Sequence, residues 1–261
     1  MLSVGEMHLL SPEQNRGNSV AGARSDTIQV QPKRRPRPPF DRKTLLAAGL
    51  SRSVDTELLE DLSLPDATVA RAYRELQVTH RWLGNTAALL RLLRQDPIPI
   101  RSVLDIGCGH GALLDEIRRR LGAEVIGLDL RPAPTDAPVA IFTRDAVTDP
   151  LPPADVAISV CVVHHLSDGD LIRLIQNVSR SCRRFIVLDL VRHRLPLALF
   201  RTFVCPFLGT LNAKDGATSI RRSYTPREMR CAVDTALDGS SGRVRHTVAP
   251  LYIRQVVDIS W

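Results

Sequence analysis

Val103-Leu104-Asp105-Ile106-Gly107-Cys108-Gly109-His110-Gly111-Ala112 reads as a buried strand that runs into a glycine loop and opens a helix. The apolar run Val103, Leu104 and Ile106 suits a strand covered on both faces. Gly107, Gly109 and Gly111 let the backbone turn tightly and approach a ligand where a Cβ would collide. Leu113, Leu114, Ile117 and Leu121 follow at helical spacing, so the first amides of that helix face whatever the loop holds. A strand, loop and helix of this kind make a cradle for a nucleotide.

Two kinds of cradle fit. The dinucleotide fingerprint G-x-G-x-x-G/A is formally met by Gly107, Gly109 and Ala112. Asp105-Ile106-Gly107-Cys108-Gly109-His110-Gly111 also resembles the first motif of class I S-adenosylmethionine-dependent methyltransferases. Asp105 separates the two, because a carboxylate two residues before the first glycine repels a pyrophosphate. S-adenosylmethionine carries no phosphate; its amino group and sulfonium tolerate a nearby acid. The resemblance implies that Asp105, Gly107, Cys108, Gly109 and Gly111 surround the methionyl part of that cofactor.

A second acid supports a nucleoside. Glu124-Val125-Ile126-Gly127-Leu128-Asp129-Leu130 reads as the next strand, and Asp129 lies 20 positions after Gly109. A ribose-binding acid is expected about 20 residues on, and each charged hydrogen bond to a ribose hydroxyl contributes about 1.5–3 kcal/mol. Ribose is common to both cofactors, so Asp129 points to a nucleoside without choosing one. Leu130, beside it, joins the expected cofactor contacts.

Composition narrows the setting. With 261 residues, 44% of them hydrophobic, the chain can bury one large core. Five scattered cysteines without a C-x-x-C pair argue against a disulfide framework or a zinc site and fit a reducing, cytoplasmic compartment. The first ten residues show no basic region followed by an apolar run, so no secretory signal is expected. The net charge of +7 sits mostly in residues 1–43, which hold eight bases and four acids. The body therefore lacks the electrostatic footprint of a nucleic-acid enzyme.

Along the chain, residues 1–43 form a basic, Pro-rich tail expected to be disordered. Residues 44–96 read as a helical cap: Pro65-Asp66 offers a helix start, and Val69, Ala72, Tyr73, Leu76, His80 and Leu83 keep helical spacing until Gly84-Asn85 breaks it. Many small-molecule methyltransferases of the resembled class carry such a cap ahead of the glycine motif. Arg81 stands at the break, where it could reach the methionyl carboxylate or the substrate, or be a surface charge.

Residues 97–261 read as the core. Three prolines between Arg131 and Pro138 leave little room for a crossover helix. Val139–Phe142 is a third strand, and Asp145-Ala146 after it matches the family's acid and small residue beside adenine. Asp155–Cys161 is a fourth strand, with Cys161 at its cofactor end. Val162-Val163-His164-His165-Leu166 resembles the loop that borders the reacting methyl in methyltransferases acting on quinones and phenols. His165 is the candidate general base there, and the other histidine is expected to pack. No third ligand stands at metal spacing, so no metal is expected. His193, past the fifth strand (Arg184–Leu190), is a second base candidate.

Residues 195–211 are unusually apolar but interrupted by Arg201 and Pro206, which argues against a membrane span. They fall within an apolar lid insertion, 191–222, in the family's substrate-lid position. Arg221 and Arg222 beside it could orient a phenolate oxygen. Residues 243–248 and 251–257 alternate as a closing pair of strands. The fold expected is α/β, a Rossmann-like class I methyltransferase sheet, mostly parallel with an antiparallel C-terminal strand and an N-terminal helical cap. The function this implies is methyl transfer from S-adenosyl-L-methionine to a small, hydrophobic, phenolic or quinone-like acceptor, oxygen before carbon. An NAD(P)-dependent reductase and a non-catalytic binding protein of the same fold are the alternatives.

Overall fold

The computed structural model describes residues 50–261; the tail 1–43 and the first residues of the cap lie outside them. Seven strands form one sheet in the order β3-β2-β1-β4-β5-β7-β6. They are β1 (Ser102–Ile106), β2 (Glu124–Asp129), β3 (Ile141–Thr143), β4 (Ala154–Val160), β5 (Cys182–Asp189), β6 (Arg243–Val248) and β7 (Gln255–Ser260). The first five run parallel, and β7 inserts antiparallel between β5 and β6. The order reverses between β1 and β4, where an open α/β sheet leaves a crevice at its strand ends.

The sheet is covered on both faces, as its continuous apolar strands require. One layer brings α2 (Asn85–Arg94) and α3 (Ala112–Leu121) onto the sheet through Leu89, Leu90, Leu93, Leu114 and Ile117. The other brings α4 (Asp168–Val178) and α7 (Pro226–Ala236) through Leu171, Leu174, Ile175, Met229 and Val233. Helix α7 starts in a capping box between Thr225 and Glu228.

Helix α1 (Asp66–Trp82) precedes α2, and α6 (Thr210–Arg222) packs against both α1 and residues 58–60. Asn212 Nδ2 donates to the Ala72 carbonyl at 3.1 Å, and the backbone N–H of Gly209 donates to Glu75 at 3.0 Å. The apolar stretch is helical: α5 (Arg194–Leu199), a π turn over Phe200–Val204 and a 3-10 turn over Cys205–Phe207. Phe200 packs where Gly216 has no Cβ, which fixes this segment on α6.

The expectation of a helical cap over residues 44–96 is corrected over residues 50–65. These are irregular, with a 3-10 turn at Leu58–Glu60 and a further turn at 62–63. Long-range polar contacts hold them in place of a helix. Asp215 accepts from the N–H groups of Leu58 and Leu59 at 2.8 Å, and Arg52 donates to the carbonyls of Leu166 and Arg222 while lying over the Tyr224 ring. No helix among the described residues is long and apolar enough to cross a membrane.

Candidate active site

The glycine loop is pinned to the strand beside it. The N–H groups of Gly107 and Cys108 both donate to the Leu128 carbonyl, at 2.8 and 3.1 Å. Gly109 has φ +56°, and a Cβ there would stand 2.5 Å from the Tyr73 ring. Glycine is thus demanded twice, by its backbone angle and by the ring above it. Tyr73 of α1 also packs against His110, the rings tilted by 39° with 4.4 Å between centroids. Asp129 accepts from the Gly109 N–H at 2.7 Å and from the Arg131 N–H at 2.9 Å, one bond to each oxygen. Its remaining lone pairs are fixed in direction by these bonds. Leu130 follows as an exposed apolar side chain at the rim.

Asp105 is only 2% exposed. Burial and the neighbouring Asp129 push its pKa up to about 8, and no nearby cation offsets them. The same two acids sit near Cys108, whose thiol is raised first by its own burial and then by their charge. Tyr73 is raised to about 12 by burial and Asp129. At Asp105 the cradle thus holds a buried acid that no cation offsets, while the Arg131 guanidinium acts on the Tyr73 side of the loop. It suits a ligand that brings a cation.

Asp145 is tied into its own turn, accepting from the Val147 N–H at 2.9 Å and the Thr148 hydroxyl at 3.2 Å. Ala146 is buried beside it, and its carbonyl accepts from Asn177. Cys161, just past β4, has φ +56°, a left-handed conformation that costs a side-chain-bearing residue about 1–2 kcal/mol. Its thiol is raised by burial and by Asp189 and Glu57.

Beyond Cys161 the chain turns through a 3-10 segment, Val163–His165, into a carboxylate-rich cluster. His164 is 3% exposed. Its Nδ1 lies 2.7 Å from Asp189 Oδ1 and its Nε2 3.5 Å from Glu57 Oε1, an ion-pair separation too long for a hydrogen bond. Burial alone would lower its pKa, but Asp189 and Glu57 outweigh it and hold the ring at about 9. His165 Nδ1 contacts Glu60 Oε1 at 2.6 Å, and its Nε2 lies 3.9 Å from Glu57 Oε2. Burial and the adjacent His164 depress the His165 pKa. Glu57 is 8% exposed and accepts from the Ser219 hydroxyl at 2.7 Å. His80 of α1 faces the same place, its pKa lowered by burial and influenced by Asp189 and His164.

The other sequence candidates lie elsewhere or have partners. Arg81 pairs with Glu116 of α3 at 2.9 Å, half exposed, and so is committed to the surface of the sheet's helical layer. Arg221 pairs with Asp55 at 2.6 Å. Arg222 pairs with Glu60 and so borders the histidine cluster. His193 caps α5: its Nδ1 accepts from the Leu195 N–H at 3.1 Å, and its ring stacks on Tyr252 at 4.5 Å. Glu57, Glu60 and His164 are the members that sequence reasoning missed. Only the fold brings Glu57 and Glu60, more than 100 positions earlier, to the histidines.

Residues 72–195 match a family model described as a methyltransferase domain. A ubiquinone biosynthesis O-methyltransferase of Cereibacter sphaeroides is 41% identical over an 88-residue alignment, which covers 28% of this chain. The chain spans about a third (34%) of that relative's length. Among solved structures, the plantazolicin methyltransferase BpumL in complex with S-adenosylhomocysteine matches with a TM-score of 0.58 at 15% identity, covering 78% of this chain and 93% of that one. Human N-acetylserotonin methyltransferase in complex with S-adenosylmethionine matches with a TM-score of 0.50 at 17% identity, covering 84% and 64%. At these identities the structural likeness speaks to the fold.

Proposed function

We propose that this chain, whose residues 72–195 match a methyltransferase domain and whose sheet has the class I order, transfers a methyl group from S-adenosyl-L-methionine to an oxygen of a small, hydrophobic, phenol-like acceptor. The observation that carries the cofactor reading is Asp105, 2% exposed at the glycine loop, whose pKa is pushed up to about 8 first by its burial and then by the charge of Asp129, with no cation offsetting them. A pyrophosphate would add negative charge to that pair, whereas an amino group and a sulfonium would relieve it. When bound, S-adenosylmethionine supplies a methyl group already activated by its sulfonium.

The chain's own residues then have three tasks. Asp129, held by the Gly109 and Arg131 amides, accepts from ribose hydroxyls. Leu130 and Ala146 border the adenine, and Asp105 with the loop amides draws in the methionyl end. His165 acts on the acceptor: its Nε2 takes the hydroxyl proton, while Glu60 holds Nδ1–H and so fixes the tautomer. Positioning supplies most of the rate, because the methyl needs only an aligned nucleophile.

The acceptor's character rests on two supports. The segment 194–207 beside α6 carries Leu195, Phe203 and Phe207 exposed, a greasy approach that suits an aromatic or alkylated molecule. The partial relative named above acts in ubiquinone biosynthesis. The test is S-adenosylhomocysteine production with a panel of catechols, hydroquinones and hydroxybenzoates. Turnover with at least one of them, abolished by Asp129→Ala, supports the reading; product formation by neither chain contradicts it.

A further inference from the structure

The sequence spacing offers the two histidines no third metal ligand, but the fold supplies one. Glu57, His164 and His165 each present one ligand atom, and these atoms lie within 4.8 Å of one another. Both imidazoles aim Nε2 at the same carboxylate, at 3.5 Å for His164 and 3.9 Å for His165. Around a four-coordinate ion with bonds of about 2.0 Å, ligand atoms stand about 3.3 Å apart, so the three side chains draw together to close the set. His164 Nε2 is buried without a hydrogen-bond partner.

The outer contacts fit as well. Each imidazole uses Nδ1 on a second carboxylate, Asp189 at 2.7 Å for His164 and Glu60 at 2.6 Å for His165. A carboxylate behind each histidine is the usual support of a metal-bound imidazole, because it fixes the tautomer that frees Nε2. Three carboxylates, Glu57, Glu60 and Asp189, surround the pair, with the Arg222 guanidinium against Glu60. With neutral imidazoles the local charge is −2, the complement of a divalent cation. Two nitrogens and one carboxylate oxygen favour a borderline transition ion such as zinc over magnesium or calcium.

We propose that Glu57, His164 and His165 form a binding site for a divalent transition-metal ion of the zinc class, with Asp189 and Glu60 as its outer carboxylates. The site keeps an open position, which three-ligand zinc centres use for water or substrate. Its use in methyl transfer rests on the reading above. There the ion would lower the pKa of a bound acceptor hydroxyl and replace His165 as the activating group.

The test is zinc binding by the full chain, by competition with a chromogenic chelator and by elemental analysis after dialysis. One zinc per chain is expected, with affinity at least 10-fold weaker in Glu57→Gln and in His165→Ala. Circular dichroism checks that both variants fold; His165, partly exposed, is the safer of the two. Cobalt substitution should give visible ligand-field bands without a thiolate charge-transfer band, since no cysteine belongs to the set. Failure to retain zinc, equal retention by both folded variants, or a thiolate band would overturn the site. S-adenosylhomocysteine titration of the zinc-free protein separates the two claims, because it tests the cofactor cradle without the metal.

Discussion

The carboxylate of Asp129 accepts a 2.7 Å hydrogen bond from the backbone N–H of Gly109. This one contact ties the end of β2 to the apex of the glycine loop and sets the direction in which the acid faces a ribose. Asp129→Asn can still accept from Gly109 but loses the charge. It should weaken S-adenosylhomocysteine binding by about 10-fold, and Asp129→Ala by about 100-fold, as expected from one or two charged hydrogen bonds of about 1.5–3 kcal/mol. Titration calorimetry on both variants checks this.

Gly109→Ala places a methyl 2.5 Å from the Tyr73 ring on a backbone at φ +56°. The variant should lose at least 1 kcal/mol of stability from the backbone term alone, and its cofactor affinity should drop. Adding Tyr73→Ala should return part of the stability lost to the clash and none lost to φ. Denaturant unfolding of the single and double variants gives the two parts.

Asp105 has a pKa of about 8 in the folded chain against an ordinary value of 3.8. A raised folded value means that its proton is held more tightly in the native state. The contribution to stability is therefore greatest at low pH, declines from about pH 4 and is lost as pH rises through about 8. Asp105→Asn removes the charging cost and should raise the melting temperature by several degrees at pH 9, with a smaller gain at pH 6. It should also weaken binding of the cationic cofactor. Thermal melts across this range, with and without S-adenosylmethionine, measure both effects.

His193→Ala tests a histidine that the sequence offered as a base and that caps α5 against Tyr252. Removing a helix cap costs about 1 kcal/mol. The melting temperature should fall by a few degrees while kcat with an accepted substrate stays within twofold of wild type. His165→Ala should instead reduce kcat strongly with little change in melting temperature.

The sheet was legible because each strand carries its own apolar run and each helix its own period. Val103–Ile106, Val156–Ile158 and Phe185–Leu188 announce buried strands, and Leu171, Leu174, Ile175 and Val178 a helix face. The cradle was legible for the same reason, since its acids and glycines lie within one strand–loop–helix–strand unit. The segment 50–65 was not, because what holds it is distant: Asp215 receives Leu58 and Leu59, and Arg52 reaches Leu166 and Arg222. The histidine cluster was half legible for that reason. His165 stands in a readable loop, but the carboxylates that define its environment come from residues 57 and 60 and from the end of β5. For Arg81 the sequence left two readings open, and its pairing with Glu116 on α3 favours the surface charge.

The most direct measurement is calorimetric titration of the purified chain with S-adenosylhomocysteine and, separately, with NADH, each repeated on Asp129→Ala. The account predicts micromolar binding of S-adenosylhomocysteine that the variant loses, and no heat from NADH. Binding of NADH in its place, or S-adenosylhomocysteine binding indifferent to Asp129, would contradict it.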